Sequence, residues 1–360
     1  MEFGLQFFPA VGPEEKSAAE YFEDCFSIAE LGDSLGWTHA RTVEHYFHPY
    51  GGYSPNPIVF LSAVAQRTRH MRLITGAVLP AFNNPLKLAG EIGMLDGISN
   101  GRLEVGIARA FLPHEFSRFQ VDMDESRERF TEGMEQIRRL LEEENVTCEG
   151  RFHSFDNVTS LPRPMQKPRP PFWVAATATP ESFIGAGKAG HSVMVTPMTA
   201  SKLREVIKLY RDAWRDAGHP GNGRVMLALH MFCHEDRRKA HDIAREPINR
   251  YFRLLSDAAS DWANVNSADY PGYQKIVENL SKENFDTQLA SGNAWVGTPD
   301  ELVDRIAEFH ELVDGFESAS LQVNFSTIAY ADAERSLRLF SEEVMPRFSD
   351  AGADSEPAVA

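Results

Sequence analysis

Cysteine is scarce. Cys25, Cys148 and Cys233 are the only three in 360 residues, far apart and without CxxC or Cys/His spacing, so neither a disulfide framework nor a metal centre is expected and a reducing compartment is. Positive charge is also short: 36 Lys and Arg face 52 Asp and Glu, for a formal charge of -16, and no cationic stripe interrupts the excess. That excludes nonspecific binding of nucleic acid and points to small molecules. No apolar run approaches the ~20 residues of a membrane span, and Met1 leads into Glu2 to Phe8 with no basic leader segment; the reading is a cytoplasmic protein, with no membrane partner. A GxGxxG dinucleotide fingerprint, internal repeats and low-complexity blocks are missing as well.

What is there is a βα rhythm. Apolar residues make up 42% of the chain, enough for a large core, and short apolar segments alternate with longer helical patterns. Strands are expected at Phe3 to Phe8, Arg41 to Glu44, Leu73 to Leu79, Arg102 to Ala108, Phe172 to Ala176, Ser192 to Val195, Val225 to Cys233 and Leu321 to Phe325. Asn56-Pro57, Asn84-Pro85, Thr179-Pro180 and Thr298-Pro299 each place a capping side chain before a proline suited to a first helical turn. A hairpin is expected over Thr147 to Phe155, and the proline-rich stretch Leu161 to Pro171 crosses a surface. Eight strands favour an α/β fold, a (β/α)8 TIM barrel, in one domain over 1–348 with an irregular insertion after strand seven at about 256–293. The acidic tail 349–360 lacks apolar anchors and is expected to be flexible.

In such a barrel, function belongs where the βα loops gather at the C-terminal strand ends. Four adjacent ends carry unusual residues: "VEHYFHPYGGYSPNP" from Val43, Thr75 to Pro80, Ala108 to Ala110, and Thr177 to Ser182. Each has a plain structural alternative. A histidine in an aromatic loop is commonly a packed ring, Arg109 could neutralise Glu104 or Glu115, Thr179 to Ser182 could be only a helix cap, and Gly51-Gly52 a turn. The combination carries more weight, because a helix N-terminus with two hydroxyls beside an arginine from the neighbouring strand makes a phosphate site.

The runs "EHYFHPYGGYSPNP", "ITGAVLPAFNNPLKLAGEIGMLDGISNGRLEVGIARAFLPHEF" and "VDMDESRERF", with "WVAATATPESF" and "VGTPDELVDRI" in register, resemble the bacterial luciferase-like, flavin-dependent monooxygenase family. The resemblance is weakest over about 235 to 293. It implies a (β/α)8 barrel and His45 as the catalytic residue beside the flavin ring. It also implies cofactor contacts from Thr75, Gly76, Arg109, Phe111, Thr179 and Ser182, with a non-prolyl cis peptide at Thr75-Gly76. Tyr46, Phe47, Tyr50, Phe82 and Glu115 are expected around the substrate pocket.

The implied activity is a two-component, FMNH2-dependent monooxygenation: a separate NAD(P)H:flavin reductase supplies reduced FMN, O2 is co-substrate, and one oxygen atom enters a small organic substrate via a flavin C4a-hydroperoxide. A homodimer through the helices beside strands two and three is also implied. Tyr46 in place of a second histidine, Ala108 in place of a reactive cysteine and Ala110 in place of a glycine depart from the light-emitting members. The alternatives are an oxidoreductase dependent on the deazaflavin F420 and a non-catalytic flavin-binding subunit.

Overall fold

The computed structural model describes residues 1–348 apart from Ala178 and Pro197; the tail expected to be flexible, 349–360, lies outside the described residues. In chain order the strands are β1 Glu2–Phe7, β2 His39–Thr42, β3 Arg72–Thr75, β4 Leu103–Ile107, β5 Val146–Glu149, β6 Ser154–Val158, β7 Phe172–Ala176, β8 Ser192–Val195, β9 Val225–Cys233, β10 Ala294–Gly297 and β11 Ser318–Gln322. The helices are α1 Ala18–Ser34, α2 Pro57–Arg67, α3 Pro85–Ile98, α4 Pro113–Phe119, α5 Ser126–Glu142, α6 Pro180–Lys188, α7 Ala200–Asp216, α8 Arg237–Ala258, α9 Gln274–Leu280, α10 Phe285–Ala290, α11 Pro299–Leu312 and α12 Tyr330–Glu343.

Eight strands close into a parallel ring in the order β9-β11-β1-β2-β3-β4-β7-β8 and back to β9, as a (β/α)8 barrel requires. β5 and β6 form the antiparallel hairpin outside it. β10 is an extra parallel strand: His230 of β9 pairs with Gln322 on one side and with Ala294 on the other, so β10 continues the edge that β8 leaves at Leu227.

Alternation along each strand divides two environments. Phe3, Leu5 and Phe7 of β1 are buried in the main apolar core with the helices, each side chain contributing roughly 1.5–3 kcal/mol by leaving water. Gly4 and Gln6 face the barrel interior, where a methyl group on Gly4 would lie 2.2 Å from the His39 ring. The interior has only a small apolar plug, Ile74, Trp173, Met194 and Met226. Below it, Arg72 and Arg224 each pair with both Glu2 and Glu104, which closes the N-terminal end and leaves the opposite mouth for chemistry.

The helix starts follow their sequence signals. Asn56 Oδ1 accepts from the N–H groups of Ile58 and Val59, Asn84 Oδ1 accepts from Leu86 N–H, and Glu301 accepts from Thr298 N–H.

Several boundaries differ from expectation. β2 ends at Thr42, so Glu44 belongs to the loop, and β11 lies three residues earlier than the expected eighth strand. β3 ends at Thr75, short of the expected Leu79, and the non-prolyl cis peptide is Gly76-Ala77 rather than Thr75-Gly76. The Gly76 N–H still donates to Thr42 O at 2.7 Å, so the Thr75-Gly76 bond belongs to the ladder and the turn follows it. The insertion is not irregular throughout. It contains a 3-10 turn at Ser260–Ala263, then α9 and α10. Among the described residues no helix is long and apolar enough to cross a membrane.

Candidate active site

His45 stands just past β2, its side chain 12% exposed, with Nδ1 3.1 Å from Glu115 Oε1. The same oxygen accepts the Tyr46 N–H at 2.9 Å. A carboxylate only accepts, so this pairing places the imidazole proton on Nδ1 and leaves Nε2 as the working nitrogen. Phe8, Tyr50 and Phe111 hold the ring at centroid distances of 5.8, 5.3 and 6.0 Å. The same loop folds back on the ring: Gly51 has φ +82, and a Cβ there would lie 2.6 Å from His45 Cβ, which explains the glycine next to so crowded a ring. Glu115 comes from α4, is fully buried, and its Oε2 has no partner among the described residues.

Glu44, which the sequence reading located but gave no role, is a second buried acid. It accepts from Tyr46 Oη at 2.6 Å, Asn83 Nδ2 at 2.8 Å and Leu79 N–H at 3.2 Å. Burial pushes its carboxyl up to about 8, against the pull of those three donors. It therefore ties the loop after β2 to the loop after β3.

A pH prediction follows from its sign. The folded chain holds the Glu44 proton up to about pH 8, whereas the unfolded chain releases it near 4.5. Between these values folding takes up a proton, and stability falls as pH rises, by up to about 1.4 kcal/mol per pH unit. Denaturant unfolding of wild type and Glu44→Gln at pH 5 to 8 checks this, the difference cancelling the buried histidines that titrate in the opposite sense; a constant difference would remove Glu44 as the source.

Across the mouth, Arg109 follows β4. Its Nη2 donates to Asp269 O at 3.1 Å and its guanidinium lies 4.5 Å over the Tyr270 ring. Its Nη1 is buried without a partner among the described residues. Thr179 precedes α6 and, unlike Asn56 and Asn84, makes no side-chain cap bond, so its hydroxyl remains available beside Glu181 N–H, whereas Pro180 has no N–H and Ser182 N–H donates to Thr179 O at 3.0 Å. Arg109, Phe111, Thr179, Ser182 and Tyr270 line one cavity of ≈ 430 Å³. An unpaired guanidinium nitrogen and an uncapped helix start on one cavity fit a phosphate dianion. Phe111 joins the cavity to His45.

The other expected residues divide. Thr75 spends its hydroxyl on β4, donating to Gly106 O at 2.9 Å and accepting from Gly106 N–H at 2.8 Å, so it reaches a cofactor only through its backbone. Gly76 O accepts from Arg41 at 3.0 Å. Tyr46, Phe47 and Phe82 gather around Phe119 at 4.7, 5.4 and 4.7 Å, with Phe47 55% exposed at the rim. Tyr50 is apart from them, 4.6 Å from Phe8, with its hydroxyl 3.3 Å from that of Tyr251.

Sequence reasoning missed Tyr270 and Trp262. Tyr270 Oη donates to Ala110 O and Trp262 Nε1 to Phe111 O at 2.9 Å. The insertion thereby roofs the loop that carries Arg109. Aromatics in an otherwise polar stretch were the available signal.

Residues 1–314 match the luciferase-like monooxygenase family. This chain belongs to that family. The chain is similar, at 43% identity and TM-score 0.88, to the crystal structure of the monooxygenase RslO1 from Streptomyces bottropensis, covering 97% of this chain and 100% of the other. It is 28% identical to the oxygenase component of the flavin-dependent trigonelline monooxygenase of Acinetobacter baylyi over 99% of this chain and 98% of the relative. The oxygenating constituent of 3,6-diketocamphane monooxygenase from Pseudomonas putida, solved with FMN, shares the fold at TM-score 0.81 and 22% identity, covering 96% and 98%. This luciferase-like monooxygenase is thus a flavin-dependent oxidoreductase.

Proposed function

We propose that the chain takes reduced FMN from a separate NAD(P)H:flavin reductase and inserts one atom of O2 into a small organic substrate. The observation that carries this reading is the unpaired Arg109 Nη1 facing the cavity that also holds the uncapped start of α6. Bound reduced flavin supplies the activation of oxygen. The chain's own residues bind, exclude water and move a proton. Arg109, the Thr179 and Ser182 hydroxyls and Glu181 N–H at the start of α6 hold the phosphate, Gly76 offers backbone, and Phe111 leads to the reacting face.

His45 Nε2 gives or takes a proton there, held in one tautomer by Glu115. The aromatic loop residues and the Trp262 and Tyr270 roof keep bulk water from the oxidising species, without which peroxide would be released. A homodimer through α2 and α3 is part of the proposal, supported by Val59 and Met94, which stand 68% and 57% exposed on those helices.

Turnover of a ketone and alkene panel with reduced FMN under isotopically labelled O2 tests the reading. One labelled oxygen per product is expected, with no turnover on reduced F420, from a protein that sediments as a dimer. Oxygen-independent turnover with reduced F420, or failure to bind reduced FMN, would overturn the activity; a monomer would overturn only the dimer.

A further inference from the structure

We infer that the inner barrel wall beneath His45 carries a recognition site for an anionic oxygen of the substrate, a carboxylate or an ionised enol or phenol, with Arg41 as its charged member. Four polar side chains stand side by side on consecutive strands. Gln6 of β1 is in register with Arg41 of β2, and His230 of β9 with Gln322 of β11. Leu5 pairs with Leu321, which brings Gln6 beside Gln322. All four are buried to 95% or more. Their neighbours Leu5, Ala40, Leu229 and Leu321 belong to the outer core, so by alternation the polar row faces inward.

Arg41 is the anomaly in this row. Its Nη1 donates to Gln6 Oε1 at 2.6 Å and its Nη2 to Gly76 O at 3.0 Å, while its Nε has no partner among the described residues. No carboxylate pairs with it among them, although a buried cation is normally paired. Burial pushes the guanidinium down only to about 10, so it is a full cation at neutral pH.

His230 Nε2 and Gln322 Oε1 are also buried without partners. Buried polar atoms are rarely left so; Gln322 Oε1 only accepts, but Arg41 Nε and, in its Nε2–H tautomer, His230 are donors in one row with an uncompensated positive charge, a complement lacking its anion. Burial pushes His230 down to about 3, so it offers a neutral nitrogen and no second charge. Holding Gln6 and the Gly76 carbonyl accounts for two nitrogens of Arg41 but not for its charge.

The row is continuous with the reacting face. The His230 ring lies 4.7 Å from Tyr251, whose hydroxyl is 3.3 Å from that of Tyr50, and the Tyr50 ring lies 5.3 Å from His45. An anionic group held by Arg41 would therefore stand on the wall that these rings join to the imidazole. Assigning that group to the substrate rests on the oxygenase reading above.

Titration calorimetry on the FMN-loaded protein tests the inference with matched pairs: benzoate against benzamide, octanoate against octanamide, and 4-nitrophenolate against 4-nitroanisole. At least one anion should bind about ten-fold or more tighter than its neutral counterpart. The pair that discriminates separates carboxylate from phenolate recognition. Arg41→Gln should bring that pair to within about two-fold while Arg41→Lys keeps most of the preference, and all three proteins should still load with FMN.

Absence of any preference in the wild type, its persistence in Arg41→Gln, or a loss of FMN affinity without an anion effect would overturn the site. If Arg41→Gln does not fold, the wild-type pairs and Arg41→Lys decide. An anion preference in a protein that binds no FMN would sink the oxygenase reading and leave the anion site standing, whereas FMN binding without preference sinks the anion site alone.

Discussion

Arg109→Met weakens FMN binding about a hundred-fold and leaves riboflavin binding nearly unchanged: that is the result expected if the guanidinium holds the phosphate. A charge-assisted contact to a phosphate contributes about 3 kcal/mol, which is roughly two decades in affinity. The riboflavin control is needed because Arg109 also has structural partners. It donates to Asp269 O and lies over Tyr270, so its removal loosens the roof formed by the insertion. A loosened roof would weaken riboflavin and FMN alike, whereas loss of a phosphate contact is felt only by the phosphorylated ligand. Arg109→Lys keeps the charge but not the planar fork and should fall between. Fluorescence titration of both flavins with the three proteins gives the answer, and equal losses for FMN and riboflavin would remove Arg109 from the phosphate site.

The same residue shows what was legible in the sequence. Arg109, Thr179 and Ser182 were readable because each stands at a strand end or helix start with a local signal, and the barrel rule then places those ends together. β7, β8 and β9 were readable to the residue because continuous apolar runs are bounded by turns. β10 and α4, at four and seven residues, are too short for any period to declare itself.

Arg41, His230 and Gln322 were missed for a different reason. Reading alternation seeks apolar residues on the buried face, but in this barrel the apolar set packs outward on the helices and the interior wall is polar. Tyr270 and Trp262 contact Ala110 and Phe111 from some 150 positions away, and no local pattern encodes a contact that depends on where α8 delivers the following chain. Glu44 was visible as a strand-end acid. Its burial, which raises its proton affinity against the pull of Asn83 and Leu79 from the next loop, depends on how the loops after β2 and β3 meet.

His45→Ala should retain FMN affinity within a few-fold while coupled product formation falls about a hundred-fold and hydrogen peroxide release rises. General acid–base residues contribute typically 10²–10⁴, and the lower end suits a site where solvent can replace part of the imidazole. Affinity should survive because the proposed phosphate contacts lie with Arg109 and α6, on the cavity that Phe111 shares with the imidazole.

Glu115→Gln separates proton transfer from packing. Its side chain keeps nearly the same volume and can still accept from Tyr46 N–H, but it removes the carboxylate that fixes the Nδ1 proton of His45. Its coupling should therefore fall less than in His45→Ala, with FMN affinity kept within a few-fold. A role in packing alone would lower FMN affinity together with coupling. Product and peroxide quantified per flavin oxidised, from pH 6 to 9, test both variants, and unchanged coupling in His45→Ala would take the imidazole out of the reaction.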